Sequence, residues 1–451
     1  MSPTAIIQML AACEQQERLQ FRTREGLEAY QRRQMLYLLK YVLPDSPYYH
    51  LLLSKPFEHW PIMNDRLLSK YFDIINTRGI RREDALQGNV QALGEDMSAI
   101  FSSGTTDEAN VFLISHEERL QRLGTLLAAV WQRAENPRLN VACFFHTDNI
   151  PCGRILDDAL RLEPYDLARP YAELHEQLLL QQPDTIIAPA SFLLRLYDDL
   201  RAGTLQLSAS RVYNIGEVLT QRDRLKLRTL FAYVGDIYQA AEGILGITCA
   251  HGRMHLNEHN LLIQQEHLEN DRFLPVITDF HAHSLPLVQY RLNDILVMDH
   301  QPCPCGSVYQ VVKRVEGRLE DVLLLPGAER RRVRIYAEYC HDVLLRNLPK
   351  DSDYQLVQTS PQRMLLRAAA EKEELEQARF ALSEDWKARG VDSARLLWQC
   401  EQAWGEQDFA HKRRQVMRLV PQRAEKGAEK EAEKDTEKNA AKQPQAMIQS
   451  A

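Results

Sequence analysis

The chain has 451 residues, of which 45% are hydrophobic and 26% are charged, a composition typical of a globular protein with two or three domains. Its 62 acidic residues outnumber its 55 basic residues, which gives a formal net charge of −7 and a pI near 6.1. Nucleic-acid-binding proteins normally carry a basic domain or stripe, so this charge balance argues against a nucleic-acid partner.

The N-terminal segment lacks the features of a secretory signal. Its apolar stretch ends at Cys13 after about ten residues and has no basic residues before it. No later window approaches the roughly 18 uninterrupted apolar residues that a membrane span needs. We therefore expect a cytoplasmic protein with no membrane partner. In a reducing compartment its eight cysteines indicate free thiols or metal ligands rather than a disulfide framework.

The first two thirds of the chain alternate between helical and strand-like patterns. Residues 5–42 carry apolar positions at helical spacing, which predicts a helical lead-in within residues 1–60 that ends near Pro44. Strand-like runs then follow: VACFF at 141–145, TIIAPA at 185–190, RVYNIGE at 211–217 and DILVM at 294–298. Because helical patterns separate these runs, we predict a large layered α/β domain over residues 1–318.

The remainder of the chain reads as two smaller units. Strand-like DVLLL, YQLVQTS and RMLLRAA, separated by helical stretches, predict a compact α+β domain over residues 319–420. From Pro421 the sequence is rich in Glu and Lys and nearly free of apolar residues, so it cannot bury a core. We expect residues 421–451 to form a disordered tail, with a solvated helix as the alternative.

A run of small hydroxyl residues, SSGTT at 102–106, has the composition of a phosphate-binding loop. Gly104 permits a tight backbone path that turns successive amides toward one anion. The acids that follow, Asp107 and Glu108, would repel a polyphosphate, and a plain surface turn is the alternative for the loop alone. The predicted phosphate-binding side chains and amides are those of Ser102, Ser103, Thr105 and Thr106.

Three further motifs follow this loop: YQAAEG at 238–243, PLVQYRLNDIL at 286–296 and EGRLED at 316–321. In order and spacing the four resemble the adenylate-forming enzymes. The resemblance is strongest to the phenylacetate-CoA ligase branch, and within it to the group related to deazaflavin-cofactor (coenzyme F) adenylating synthetases. It covers roughly residues 30–325. It implies an α/β adenylation domain, a mobile C-terminal lid and ATP-dependent activation of a carboxylate.

The resemblance implies roles for side chains in these motifs. Glu242 would hold Mg²⁺ on the triphosphate, because this hard cation prefers carboxylate and phosphate oxygens, and Tyr238 would lie beside the adenine. The four-residue spacing of the two predicts that they share one face of a helical turn. Asp294 would accept hydrogen bonds from both ribose hydroxyls. Arg318 would pair with ribose or phosphate, and Glu320 would lie at the hinge of the lid.

Further residues come from weaker likenesses to the same branch. NIGEVLTQRDRLKLRTLF at 214–231 adds Gly216 and Glu217 to the implied nucleotide-binding residues, and Gln239 joins them from YQAAEG. FAHKRRQVMR at 409–418 resembles the terminal motif that brings a catalytic lysine from the lid, which makes Lys412 the candidate; a basic helix end is the alternative. The implied catalytic residues are Lys412, Glu242 and Thr105.

Two Cys/His clusters, CAHGRMH at 249–255 and QPCPCGS at 301–307, have the residue types of a zinc site. Three thiolates and one imidazole would surround a tetrahedral Zn²⁺ with no position left for water, so the site would be structural. We expect it to fix a loop beside the ribose site, and buried free thiols are the alternative. The resembled branch favours His255 over His251. The predicted ligands are Cys249, His255, Cys303 and Cys305, with His251 as the alternative imidazole.

These motifs predict acyl-adenylate formation from ATP and a small carboxylic acid, followed by thioester formation. The acceptor would be CoA or the phosphopantetheine of an acyl carrier protein, between which the sequence gives no preference. His146, at a predicted strand end, is a candidate for lining the acyl pocket. Two alternatives stay open: a nucleotidyltransferase that leaves AMP on a hydroxyl acceptor, and a non-catalytic nucleotide-binding relative. The sequence leaves the oligomeric state open, with a symmetric homodimer as the prior for a protein of this kind.

Overall fold

A computed structural model describes residues 2–19, 21–102, 110–131, 138–146, 154–157, 159–350, 352–402, 409 and 412–419. Four predicted phosphate-loop residues, Ser103, Gly104, Thr105 and Thr106, lie outside these ranges, as does the predicted tail at 421–451.

The helical lead-in consists of separate helices. Thr23 caps the second helix by accepting a hydrogen bond of 3.2 Å from the amide of Gly26, and a π-helical turn at Leu38–Val42 continues that helix toward Pro44. The helices are α1 (Pro3–Arg18), α2 (Arg24–Tyr37), α3 (Pro47–His50), α4 (Asp65–Ile75), α5 (Arg82–Leu86), α6 (Val90–Leu93), α7 (His116–Trp131), α8 (Tyr171–Gln181), α9 (Ala190–Ala202), α10 (Gln221–Leu227), α11 (Ala337–Asn347) and α12 (Lys372–Ala388).

The strands contain the whole of the predicted runs at 141–145 and 294–298, and residues 185–188 and 211–215 of the other two, since Ala190 begins a helix. They are β1 (Met97–Phe101), β2 (Val111–Ser115), β3 (Leu139–Phe145), β4 (Ile155–Leu156), β5 (Leu160–Asp166), β6 (Thr185–Ala188), β7 (Arg211–Ile215), β8 (Tyr233–Ala240), β9 (Gly243–Thr248), β10 (Met254–Leu256), β11 (Leu261–His267), β12 (Arg272–Asp279), β13 (Tyr290–Arg291), β14 (Asp294–Asp299), β15 (Val311–Arg318), β16 (Leu323–Pro326), β17 (Arg332–Ile335), β18 (Tyr354–Ser360), β19 (Arg363–Ala368), β20 (Leu397–Gln402) and β21 (Val416–Arg418).

One large sheet organises the part of the chain before Arg318. Its described strands run in the order β11-β12-β14-β15-β10-β9-β8-β7-β6-β3-β5-β4, with β13 beside β12. The central strands β5, β3, β6, β7 and β8 are parallel to one another. On the other side of β8, the neighbouring strands β9, β10, β15, β14, β12 and β11 pair in antiparallel fashion.

Helices cover both faces of the parallel region, which explains its continuous apolar strands. Alternate residues of β3 point to opposite layers: Val141 packs with α1 and α7, and Phe144 packs with α8 and α9. The structure therefore has the layered α/β architecture that the strand and helix alternation predicts. The hairpin β1–β2 stands apart from this sheet, and Phe101 pairs with Val111 at the base of the SSGTT loop.

The part of the chain after Arg318 has its own sheet and core. The hairpin β16–β17 leads into α11, and four strands pair in the order β20-β19-β18-β21. Trp386 of α12 is fully buried and stacks on Trp398 of β20 at a ring-centroid distance of 5.4 Å. Leu356 and Leu366 of the central strands pack in the same core. This part has α+β character, as its sequence pattern predicts.

Candidate active site

A cleft of about 2160 Å³ opens at the carboxyl ends of the parallel strands and extends to the segment that precedes β21. Ligands of open α/β sheets bind at this end of the strands, because the loops that follow the strands converge there. Most of the predicted site residues that the structure describes line this one cleft. They are Ser102, Gly216, Glu217, Tyr238, Gln239, Glu242, Asp294, Arg318, Glu320 and Lys412, and His146 lines it as well.

Asp294 and Arg318 face one another as a register pair at one end of the β14–β15 hairpin. The Tyr238 hydroxyl donates a hydrogen bond of 2.8 Å to Asp294 Oδ2, and Arg318 Nε lies 4.0 Å from Asp294 Oδ1. Burial beside this carboxylate raises the pKa of Tyr238 well above its ordinary value, so the phenol stays a neutral donor. Each carboxylate oxygen has two lone pairs, and Asp294 can therefore still accept hydrogen bonds from a diol.

The prediction that Tyr238 and Glu242 share a helical turn is wrong. Tyr238 belongs to strand β8, and Glu242 lies in the tight turn that joins β8 to β9. Arg122 of α7 fixes this turn in place. Its guanidinium donates hydrogen bonds to the backbone carbonyl oxygens of Ala241, at 3.0 Å, and Glu242, at 2.8 Å. Two tertiary hydrogen bonds thus position Glu242. Nothing in the sequence around Arg122 pointed to this role.

The Glu242 carboxyl lies in a negative environment. Burial and the nearby acids Asp65 and Asp294 together raise its pKa to about 7, although a hydrogen bond from its own backbone amide and the charge of Arg318 oppose the shift. Such a carboxylate lacks full charge compensation, and a divalent cation together with phosphate oxygens would supply it. The donor set therefore fits Mg²⁺ held through Glu242.

Asp65 is a site residue that the sequence pattern did not reveal. It begins α4 directly after the cap Asn64, where an acid is ordinary. In the structure Asp65 accepts a hydrogen bond from Tyr290 and another of 2.9 Å from Asn293, and it lines the cleft. Burial raises the pKa of Asp65, and the Tyr290 hydrogen bond opposes this shift.

Lys412 reaches the cleft from the C-terminal part of the chain. A Cβ built on Gly216 would meet Lys412 Cε at 3.8 Å, and Gly216 has a φ of +77°, which favours glycine. Burial and the neighbouring Arg318 lower the pKa of Lys412, whereas Asp294, Glu217 and Glu242 raise it. The ammonium group thus lies within the field of the carboxylates that line the cleft.

Glu217 is buried, and its carboxylate accepts hydrogen bonds from three groups of the protein. These are the Ser191 amide at 2.8 Å, the Ser191 hydroxyl at 3.1 Å and the Arg413 amide at 2.7 Å. The sequence-based expectation was a nucleotide contact. Glu217 lines the cleft, and its hydrogen bonds link it to the start of α9 and to the residue after Lys412.

Glu320, the predicted hinge residue, lies in a short 3-10 turn at Leu319–Asp321. Its carboxylate is 3.4 Å from the Arg318 guanidinium, and its carbonyl accepts a hydrogen bond of 3.2 Å from Arg418. Arg414 forms an ion pair with Asp321 in the same turn. Basic residues of the last described strand and the segment before it therefore contact the junction between the two parts of the chain.

The four predicted zinc ligands come together. The ligand atoms of Cys249, His255, Cys303 and Cys305 all lie within 4.8 Å of one another. Cys249 Sγ is 3.6 Å from Cys303 Sγ, and Cys305 Sγ is 3.3 Å from His255 Nε2. Zn–S bonds of about 2.3 Å and a Zn–N bond of about 2.0 Å in a tetrahedron require ligand separations of roughly 3.5 to 3.8 Å. The cluster fits a structural Zn²⁺.

The place of this cluster differs from the expectation that it adjoins the ribose residues. Asp294 begins β14, whereas Cys303 and Cys305 follow its far end at Asp299. The two ends of this strand, at Asp294 and Asp299, lie about 17 Å apart. The alternative ligand His251 does not belong to the cluster and lines the cleft instead.

No family model matches the sequence, and no curated protein matches it. Among solved structures the chain is similar to 2-hydroxyisobutyryl-CoA ligase in the postadenylation state with 2-HIB-AMP, at 13% identity and a TM-score of 0.62 over 91% of this chain and 92% of that chain. The same ligase with 2-HIB-AMP and CoA in the thioesterification state is 16% identical and has a TM-score of 0.51, over 89% and 91% of the two chains.

A second kind of enzyme also matches. AtGH3.15, an acyl acid amido synthetase in complex with 2,4-DB, is 12% identical with a TM-score of 0.52, over 83% of this chain and 86% of that chain. Within the described ranges, none of the helices combines the length and apolarity that a membrane crossing requires. The layered α/β chain with its small C-terminal α+β unit thus has the fold of these acyl-activating ligases.

Proposed function

We propose that the protein activates a small carboxylic acid with ATP and transfers the acyl group to a thiol. One observation carries the proposal. Lys412 from the C-terminal part and Glu242, Asp294 and Arg318 from the large sheet line one cleft of a fold shared with acyl-activating ligases. The two basic side chains, Lys412 and Arg318, thus share the cleft with two acidic ones, which suits a reaction between a carboxylate and a triphosphate.

In the first half-reaction a carboxylate oxygen attacks the α-phosphorus of ATP, and pyrophosphate leaves. Asp294 accepts hydrogen bonds from the ribose hydroxyls and so fixes the nucleoside. Lys412 places its charge between two anions that repel one another, the carboxylate and the α-phosphate. The protein contributes positioning and charge stabilisation, because the chemistry itself requires no covalent enzyme intermediate.

Two metal ions complete the proposal. Mg²⁺ on Glu242 would neutralise the triphosphate, and the raised pKa of this carboxyl supports such a role. Zn²⁺ on the four-ligand cluster would hold the loop between β14 and β15 to strands β9 and β10, a structural role at the end of β14 opposite Asp294.

In the second half-reaction a thiol attacks the acyl carbonyl, and AMP leaves. We propose CoA or a phosphopantetheine arm as the thiol, and a lid formed by residues 319–420 that turns about Glu320 between the half-reactions. The separate core of that part of the chain supports this division. The higher similarity to the postadenylation state of the CoA ligase, 0.62 against 0.51, supports an arrangement in which the lid is closed for adenylation.

Carboxylate-dependent exchange of pyrophosphate into ATP, measured across a panel of acids, tests the proposal. Exchange with at least one acid is the expected result. AMP retained on a stable small-molecule adduct would instead establish nucleotidyl transfer. The lack of exchange with every acid, together with unchanged ATP affinity of Glu242→Ala, would establish a non-catalytic relative. The narrower relation to coenzyme F synthetases stays a prediction from sequence motifs.

A further inference from the structure

The short segment that carries Lys412 is anchored to the large sheet domain on both sides of the lysine. Three residues before it, Phe409 packs its ring against Tyr171 of α8 and Phe192 of α9, at centroid distances of 5.8 and 5.4 Å. One residue after it, the amide of Arg413 donates a hydrogen bond of 2.7 Å to Glu217. Contacts this close on either side restrict the backbone path of the lysine itself.

The Arg413 side chain reinforces the second anchor. Its guanidinium donates to Asp353, just before β18, at 2.6 Å and lies 3.6 Å from Asp223 of α10. Arg413 is largely buried, and the two acids compensate its charge. It therefore connects the C-terminal unit, through Asp353, with the large domain, through Asp223 and Glu217.

Two further hydrogen bonds hold the Glu217 carboxylate in position to accept the one from the Arg413 amide. The Ser191 amide and hydroxyl, in the first turn of α9, hold the carboxylate at the positive end of the helix dipole. Withdrawal of Arg413 would leave a buried carboxylate with fewer donors, which is costly. The contact therefore favours one discrete position of the segment over a range of neighbouring positions.

We propose that Phe409 and Glu217 are positioning residues, a latch that holds the segment of Lys412 over the cleft during adenylation. This inference rests on the proposed function. Glu217 acts through the backbone of Arg413, and Phe409 acts through the aromatic side chains of α8 and α9. Both reduce the conformational freedom that Lys412 would otherwise lose in the transition state. When the lid turns for thioester formation, both contacts open, so the latch serves the first half-reaction alone.

The two half-reactions, measured separately, test this division. Phe409→Ala is expected to slow pyrophosphate exchange about 10- to 100-fold, the range found when an aromatic anchor is truncated. Thioester formation from supplied acyl-AMP should change less than about twofold, because it does not use the closed position. Phe409→Leu should recover part of the exchange rate. Phe380→Ala is the matched control, since Phe380 lies on α12 and is 61% exposed.

Glu217→Gln provides a second variant that keeps one acceptor oxygen and is expected to slow exchange less than Glu217→Ala. Equal loss of both half-reactions in Phe409→Ala would overturn the proposal, as would an exchange rate equal to that of Phe380→Ala. Either result would assign Phe409 a general structural role.

A distance measurement tests the latch without activity. Genetically encoded spin labels at Leu180 of α8 and Leu397 of β20, both well exposed, report the position of the lid relative to the large domain. Phe409→Ala should broaden the distance distribution, and Phe380→Ala should not. An unchanged distribution in Phe409→Ala would refute the latch. If no acid supports exchange, the proposed function fails, and the distance distribution still decides whether the latch exists.

Discussion

The Tyr238 hydroxyl donates a hydrogen bond of 2.8 Å to Asp294, which also lies opposite Arg318 across a β-hairpin. This contact orients the carboxylate before any nucleotide binds. We expect Asp294→Ala to raise the Michaelis constant for ATP about 10- to 100-fold, since each hydrogen bond to a charged group contributes about 1.5 to 3 kcal/mol. Steady-state kinetics with varied ATP measure the effect.

The control for this experiment lies on the same strand. Asp299 ends β14, at the opposite end of the strand from Asp294, and pairs with Arg253 at 2.5 Å. Asp299→Ala should leave the Michaelis constant for ATP unchanged. If the two variants behave alike, Asp294 does not bind the ribose.

The raised pKa of Glu242, about 7 against an ordinary 4.5, predicts a pH-dependent contribution to stability. Between these values the folded protein holds a proton that the unfolded chain has released. The Glu242 contribution to the free energy of unfolding therefore falls as the pH rises from 4.5 to 7. Glu242→Gln should raise Tm at pH 8 without Mg²⁺ and leave Tm at pH 4.5 unchanged. Thermal unfolding at both values measures this, with Glu376→Gln on α12 as the control.

The same carboxyl predicts proton release on cation binding. Asp65 and Asp294 disfavour its ionised form, whereas the charges of Arg318 and Lys412 and a hydrogen bond from the Tyr290 hydroxyl favour it. At pH 6 most of the Glu242 carboxyls hold a proton, so binding of ATP with Mg²⁺ should release close to one proton per site. Calorimetry in two buffers with different ionisation enthalpies detects it. Equal proton release by the wild type and Glu242→Gln would exclude Glu242 as the ligand.

Removal of the lysine charge should separate the half-reactions. Lys412→Ala is expected to reduce pyrophosphate exchange by at least about 100-fold, because loss of a positioned cation from between two anions removes transition-state stabilisation. Thioester formation from supplied acyl-AMP should remain largely intact. Lys387→Ala, on the exposed face of α12, should behave as wild type. Loss of both half-reactions to the same extent would remove Lys412 from the catalytic assignment.

For the cysteine cluster we expect about one equivalent of zinc in protein purified without added metal. Cys303→Ser should abolish zinc binding and lower Tm, because the binding energy of a structural metal contributes to folding. Cys340→Ser is the control for loss of a buried thiol, and His251→Ala should retain the metal. Protein without zinc, or zinc retained by Cys303→Ser, would contradict the site.

Local patterns predicted much of the fold and indicated many of the candidate site residues. The central strands read as strands because both faces are buried, which produces continuous apolar runs such as 141–145. The resemblance to the adenylate-forming enzymes made Glu242, Asp294 and Arg318 candidates, and the structure places all three along one cleft. The paired Cys and His clusters predicted four zinc ligands, whose ligand atoms the structure brings within 4.8 Å of one another.

Contacts between distant segments could not be read in this way. A spacing of four residues suits a helical turn as well as a strand followed by a turn, and only pairing of β8 with β9 decides for the latter at Tyr238 and Glu242. Asp65 and Arg122 carry no local signal, because an acid or a base in a helix is usually a solvated side chain. Their roles depend on partners far away in the chain.

The sequence by itself determined the layered α/β class, which follows from periodicity, and the order of the motifs, whose resemblance to the adenylate-forming enzymes supplied the candidate site residues. Only the tertiary structure decided that Arg122 supports the turn of Glu242 and that Glu217 holds the amide beside Lys412. Glu217 and Arg413 are separated by 196 positions in the chain. A hydrogen bond over such a separation depends on the packing of whole elements, which no local pattern encodes.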